Sequence, residues 1–290
     1  MGAWQAVLFC PKSGLALSAH EARTLLELAR GGGGRAVVNL GRGEVDIAVE
    51  GGSLLLGSLR LRASELRSVV EKEDAVFFFD YEGLGIKVAF YREGRYYKLR
   101  CLGEGLAPTL EISGIHMHNI VGTDPWSDAR RKVKLVSPGR GDLVLDVCTG
   151  LGYTAINAVE CGAEVVSIEK DPAVLEIAEY NPWSWGLSNP RVTLLLGDAF
   201  EVVADLPEDL FDAAIHDPPR FSLAGELYSL EFYRRLRKVL KRGARLFHYT
   251  GWPGKHRGLN IQAGVARRLR AAGFRVVKVL KGYGLLAEAV

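Results

Sequence analysis

From Gly141 onward the sequence repeats one pattern: a short apolar run, a glycine or an acid at its end, then a segment with helical spacing. LVLDV is followed by a helix through TAINAVECG and VVSIE by AVLEIAEYN, while VTLLLGD, DAAIHD, RLFHYT and RVVKVL supply further runs. Runs so continuously apolar have no face to offer water, and the helical segments provide the crossovers that parallel strands require. The pattern constrains this part of the chain to an α/β domain whose mostly parallel sheet is covered on both faces.

The first hundred residues read differently. SAHEARTLLELARG, from Ser18 to Gly31, has Ser18 and Glu21 at capping-box spacing and a glycine just past its end, the marks of one helix. AVVNL, DIAVE, SLLLG and AVFFFD follow as short apolar runs parted by glycines, and GIKVAFYREGRYYKLRCL alternates about a polar turn as a hairpin does. GGGG at 31–34 reads as a flexible turn. The expected organisation is a small β-rich domain over 1–110, a connector or lid over 111–136 ending in a helix capped by Ser127 or Asp128, and the α/β domain over 137–290.

A chain of 290 residues can bury one large core and one small one. No run of 18 apolar residues is present, and MGAWQAVLFCPKSG lacks the basic start and long apolar centre of a signal peptide, so a cytoplasmic protein without a membrane partner is expected. Cys10, Cys101, Cys148 and Cys161 form no CxxC pair and have no histidine at zinc-finger spacing, which argues against a metal site or a disulfide framework. The net charge of +3 is too small to specify a nucleic-acid partner. RRK at 130–132 and RRLRKVLKR at 234–242 are basic runs of the kind that touch phosphates or form solvated helix faces.

The chemistry gathers at the strand ends. In VLDVCTGLGYTA a strand ends in Asp146, and Gly150 and Gly152 make a tight turn into a helix that lets backbone approach a ligand. VVSIEKD ends the next strand in Glu169, 23 residues after Asp146, where a carboxylate can accept both ribose hydroxyls of a nucleoside. LLLGDAF ends the third in Asp198, placed to accept from an adenine amino group. Three successive strands finishing in carboxylates point to the ligand crevice of an open α/β sheet. A dinucleotide reading lacks its third glycine and a phosphate-neutralising arginine.

The order and spacing of VLDVCTGLG, the acid of SIEKD, the acid of GDAF and the DPP stretch resemble the class I S-adenosylmethionine-dependent methyltransferases over roughly 135–290. Together with GIHMHNI, EKDPAVLEIAEYNPWS and HDPPRFSLAGELYSLEFYRRLRKVLKRGARLFHYTG, they resemble an uncharacterised archaeal family of predicted methyltransferases. The resemblance implies a Rossmann-like domain with a mostly parallel seven-stranded sheet, and S-adenosylmethionine as cofactor. It implies that Gly150 and Gly152 line the methionine part, Glu169 the ribose and Asp198 the adenine, with Asp146, Cys148, Lys170 and Ala199 completing the site. Cys148 stands where that family often has its first glycine.

HDPPRFS, at 216–222, stops a strand abruptly. Proline fixes the backbone and carries no N–H, so carbonyls around Pro218 and Pro219 turn into the cleft, and with Asp217 they can hold or deprotonate an acceptor amine. In nitrogen methyltransferases the position of Arg220 is aromatic; DPPRF looks more like the DPPKF-type stretch of some ribosomal RNA methyltransferases. The absence of any cysteine after Cys161 argues against their cysteine-dependent chemistry. Arg220 can bind an anion on the acceptor, stack on a base, or pair with an acid such as Glu226. His216, Phe221, His248 and Tyr249 are candidates for the acceptor pocket. His116 and His118 have no third ligand at a suggestive spacing and read as part of a lid, so no metal is expected.

These features lead to a methyltransferase acting on a nitrogen of RNA, protein or a small metabolite. The alternative is an aminopropyltransferase of the spermidine synthase type, because YSLEFYRRLRKVLKRG also looks like the segment after the catalytic acid in those enzymes. They use decarboxylated S-adenosylmethionine. A nucleic-acid-binding module without turnover is disfavoured by the presence of all three carboxylates and DPP.

Overall fold

The computed structural model describes residues 4–251 and 261–290. The chain divides into two compact units, one formed by Met1–Leu8, Ala129–Pro172 and Asn189–Val290, the other by Phe9–Asp128 and Ala173–Ser188. These bounds differ from the expected 110 and 136. Long-range packing, which no local pattern reveals, assigns a short segment from each half of the chain to the other's unit.

In the first unit the strands are numbered along the chain: β1 Gln5–Val7, β2 Leu143–Val147, β3 Glu164–Glu169, β4 Val192–Leu196, β5 Phe211–His216, β6 Leu240–Tyr249, β7 Phe274–Leu280 and β8 Gly284–Ala289. They form one sheet in the order β1-β4-β3-β2-β5-β6-β8-β7. Pairing is parallel from β4 through β6 and antiparallel elsewhere. The six runs read from the sequence are β2 to β7, and β8 makes up the seven strands that the family resemblance implies. The eighth, β1, covers the edge of β4 that would otherwise present unpaired backbone.

The chain runs outward from β2 to β3 and β4, then returns to lay β5 against the opposite side of β2. The order therefore reverses between β2 and β5, opening a crevice at their carboxyl ends. Val144, Leu145, Val147, Ala213, Ala214 and Ile215 are buried, as parallel strands covered on both faces must be. Helices Ala199–Asp205 and Leu230–Val239 contribute Val202, Val203, Phe232 and Leu236 to the same core.

In the second unit the helix expected after Ser18 is Ala19–Gly31, and Ala63–Val70 is a further helix not expected from the sequence. Ser18 Oγ accepts from the Glu21 amide while Glu21 accepts from the Ser18 amide at 2.8 Å, the expected capping box. The GGGG run is no loose turn: Gly32 is the left-handed C-cap and Gly33 begins a strand. Gly33–Val38, Gly43–Glu50, Ser53–Leu56 and Leu59–Arg62 make a four-stranded meander over Leu25, Leu54, Leu61 and Leu66. Residues 173–188 belong here because Tyr180 packs edge-on against Phe78 at 5.2 Å and Trp183 Nε1 donates to the Leu40 carbonyl at 2.9 Å. No helix among the described residues is long and apolar enough to cross a membrane.

Candidate active site

The turn after β2 is tight because three of its residues adopt left-handed backbone: Cys148 at φ +73°, Gly150 at +56° and Gly152 at +78°. The last of these caps helix Tyr153–Glu160. At Cys148 that conformation costs a side-chain-bearing residue about 1–2 kcal/mol, which explains why glycine suits the position. Its amide donates to the Ile168 carbonyl at 3.0 Å, and burial pushes its thiol pKa well up.

Glu169 ends β3 with both carboxylate oxygens engaged. Oε2 accepts from the Gly150 amide and Oε1 from the Lys170 and Asp171 amides, all at 2.9 Å. Burial raises its pKa and the three backbone donors oppose that shift. A carboxylate has about four acceptor positions, so three backbone bonds leave room for one further hydroxyl rather than a free pair of oxygens.

Asp198 is the N-cap of helix Ala199–Asp205, accepting from the Phe200 amide at 2.9 Å, and its other oxygen meets Lys170 Nζ at 2.6 Å. Beside this pair lies a cleft of about 460 Å³ lined by Lys170, Pro172, Leu196, Gly197, Asp198 and Trp4. Sequence reasoning missed Trp4, whose partner strand is nearly two hundred residues away. Asp146, by contrast, is fully buried: Ser167 Oγ donates to it at 2.7 Å and burial raises its carboxyl to about 7. It braces the turn from beneath.

Asp217 follows β5 at the reversal of strand order, where its amide donates to the Val147 carbonyl at 3.2 Å. Its carboxylate pairs with Lys132 Nζ at 2.6 Å, the lysine side chain being 5 % exposed and the aspartate 23 %. Lys132 lies on helix Pro125–Val136, whose N-cap is Asp124 rather than Ser127 or Asp128: Asp124 Oδ1 accepts from the amides of Trp126 and Ser127 at 3.0 Å. Asp128 is instead buried and accepts from Asn119. The signal for Lys132 was available. Ala129, Lys132, Val133 and Val136 share one helix face by their spacing, and that face is buried.

The proline turn is held by Tyr228, whose hydroxyl donates to the Pro219 carbonyl at 3.0 Å. Phe221 is 45 % exposed and meets the Tyr228 ring edge-on at 5.4 Å. Arg220 is exposed and forms no pair with Glu226 or any other acid among the described residues. Lys132 Nζ also stands 4.3 Å from the Tyr249 ring centroid.

His216 and His248 do not line an open pocket. Register pairs them across β5 and β6, and their rings stack at 4.2 Å with no solvent exposure. Tyr233 bonds His248 Nε2 at 2.9 Å, and burial pulls both imidazoles down, His248 to about 3, so both are neutral near pH 7. In the other unit His116 contacts Arg100 and His118 contacts Thr109. Part of the basic run at 234–242 is engaged within the fold, Arg235 on the Phe200 ring and carbonyl, Arg237 on the Val290 carbonyl and Lys241 on Asp212, while Arg234 and Arg242 are exposed.

Against known proteins, residues 130–276, half of the chain, match the spermine/spermidine synthase domain. An uncharacterised protein of Methanocaldococcus jannaschii is 46% identical over 75% of this chain and 75% of its own length. Polyamine aminopropyltransferase 2 of Streptomyces coelicolor is 35% identical over 94 residues, 29% of this chain and 16% of that one. A crystal structure of spermidine synthase in complex with the transition-state analogue AdoDATO shares the fold with a TM-score of 0.56 at 20% identity, over 71% of this chain and 75% of the other. The domain match favours the aminopropyltransferase alternative over the methyltransferase reading. The matched span contains the β2 turn, the acids ending β3 and β4, and the Lys132–Asp217 pair, and by that match the chain belongs to the spermine/spermidine synthase domain family.

Proposed function

We propose that the protein transfers an aminopropyl group from decarboxylated S-adenosylmethionine to an amine. The observation that carries this reading is the family match over 130–276, which spans the strand-end acids and Asp217 alike. In the reaction a neutral amine nitrogen attacks the propyl carbon bonded to the sulfonium. The C–N bond forms as the C–S bond breaks, the electron pair goes to sulfur, and methylthioadenosine leaves. The new ammonium then loses a proton.

Asp217 is the group for that proton. It stands at the carboxyl end of β5 beside the β2 turn, and a carboxylate there is a group that can accept an amine N–H. Holding the amine within about 3–3.5 Å of the carbon, in line with sulfur, supplies most of the acceleration. In this reading Glu169 accepts a ribose hydroxyl and Asp198, with Lys170 and Trp4, frames the base.

The test offers the enzyme decarboxylated S-adenosylmethionine and S-adenosylmethionine in separate reactions with a panel of amines, and quantifies nucleoside products by mass spectrometry. Methylthioadenosine from the decarboxylated donor is expected. S-adenosylhomocysteine from S-adenosylmethionine, without methylthioadenosine, would return the protein to methyl transfer.

A further inference from the structure

A carboxylate and an aromatic face are the two features by which proteins ordinarily hold an alkylammonium. Both are present at the ends of β5 and β6, as Asp217 just after the one and Tyr249 as the last residue of the other, and both are engaged by the ammonium of Lys132, at 2.6 Å from the carboxylate and 4.3 Å from the ring centroid. Being buried, Lys132 is held there by that pairing, since an ammonium without an anion is costly to remove from water. Two more cations stand close along the chain. Arg131 lies 4.1 Å over the Tyr283 ring, which packs edge-on against Tyr249 at 5.4 Å. Arg220 follows Asp217 by three residues, exposed and without an ion-pair partner among the described residues.

A diamine poised for attack presents one neutral amine and one ammonium. The second charge finds Lys132 already on the acid, with two arginines close to that pair along the chain, so like charges meet. An amine bearing an oxyanion meets the opposite situation, and a guanidinium is shaped to receive it. From this we infer that the acceptor is an amine carrying a carboxylate or phosphate, with Lys132 as the residue that excludes a second ammonium and Arg220 as the one that receives the oxyanion. The inference rests on the aminopropyl reading and narrows its acceptor.

The full chain is assayed with decarboxylated S-adenosylmethionine and three acceptors: 1,4-diaminobutane, 4-aminobutyrate, which has the same carbon count with a carboxylate at one end, and 2-aminoethyl phosphate. Methylthioadenosine release gives kcat/KM for each. At least one anionic amine is expected to exceed the diamine by tenfold or more, and which one does so separates carboxylate from phosphate. Lys132→Gln should move the ratio at least tenfold toward the diamine, a change that a merely structural lysine would not produce. Arg220→Ala, at an exposed position, should raise KM for the anionic amine and leave that for the diamine nearly unchanged. A wild-type preference for the diamine, or an unchanged ratio in a folded Lys132→Gln protein and in Arg220→Ala, overturns the acceptor class while leaving aminopropyl transfer standing. Methylthioadenosine from none of the three, with S-adenosylhomocysteine formed from S-adenosylmethionine, removes the transfer reaction itself.

Discussion

Single residues at the strand ends divide into those that reach the surface at the carboxyl edge and those that build the floor beneath it. Asp146 belongs to the floor, and its burial has a measurable consequence. The folded protein keeps this carboxyl protonated up to about pH 7, whereas the unfolded chain releases the proton near the ordinary 3.8. Its contribution to stability is therefore fully present below pH 3.8 and is lost as pH rises through about 7. Asp146→Asn cannot ionise and can still accept from Ser167. Its melting temperature should gain on the wild type between pH 4 and 7 and hold that gain above, with an upper bound on the order of 4 kcal/mol. A constant difference across that range would show that the carboxyl titrates normally. Glu169 behaves differently, because Glu169→Ala leaves three backbone donors without their acceptor. It should lower stability by about 1–3 kcal/mol and also abolish most of the thermal stabilisation by added methylthioadenosine. Retention of the full ligand-induced shift would remove Glu169 from the nucleoside site.

Among the elements, β1 is the one whose placement explains a residue elsewhere. Gln5 stands opposite Leu196, which brings Trp4 to Gly197. A Cβ at Gly197 would fall 2.4 Å from Trp4 Cβ, closer than two carbons can approach. Gly197 is thus a glycine because of a strand that precedes it by most of the chain. Trp4 Nε1 also donates to Asp205 at 2.9 Å, tying the strand to the helix after Asp198. Gly197→Ala should destabilise the wild type and do so much less in a Trp4→Gly background, with a coupling of about 1–3 kcal/mol in a double-mutant cycle read by denaturant unfolding. Additive effects would mean that β1 does not close on Gly197 in solution.

At the scale of the whole molecule, the second unit is not a contiguous piece of chain. It draws Glu179, Tyr180 and Trp183 from a segment that follows β3, where they meet Lys12, Phe78 and Leu40. A fragment of residues 9–128 lacks these partners and leaves apolar surface uncovered. It should give a poorly dispersed amide spectrum and unfold at lower denaturant than the same unit within the full chain. A well-dispersed spectrum with native-like stability would show that 173–188 adds little to that core.

What the sequence determined by itself is what local rules govern. Apolar period and length mark β2 to β6, glycines mark the left-handed turn after β2, and the spacing from each strand to its terminal acid brings Asp146, Glu169, Asp198 and Asp217 to one edge of the sheet. The Ser18–Glu21 capping box was legible for the same reason, since its atoms lie within one turn of chain. Tertiary structure decided which of those acids faces outward and what each one meets. Lys132 reaches Asp217 across 85 residues, the two histidines stack because β5 and β6 share a register, and β1 finds an edge beside Gly197. A local pattern specifies which face of an element is apolar, but not which distant element will cover it. That choice is made by packing and by the pairing of buried charge, whose free energies exist only once the chain has closed.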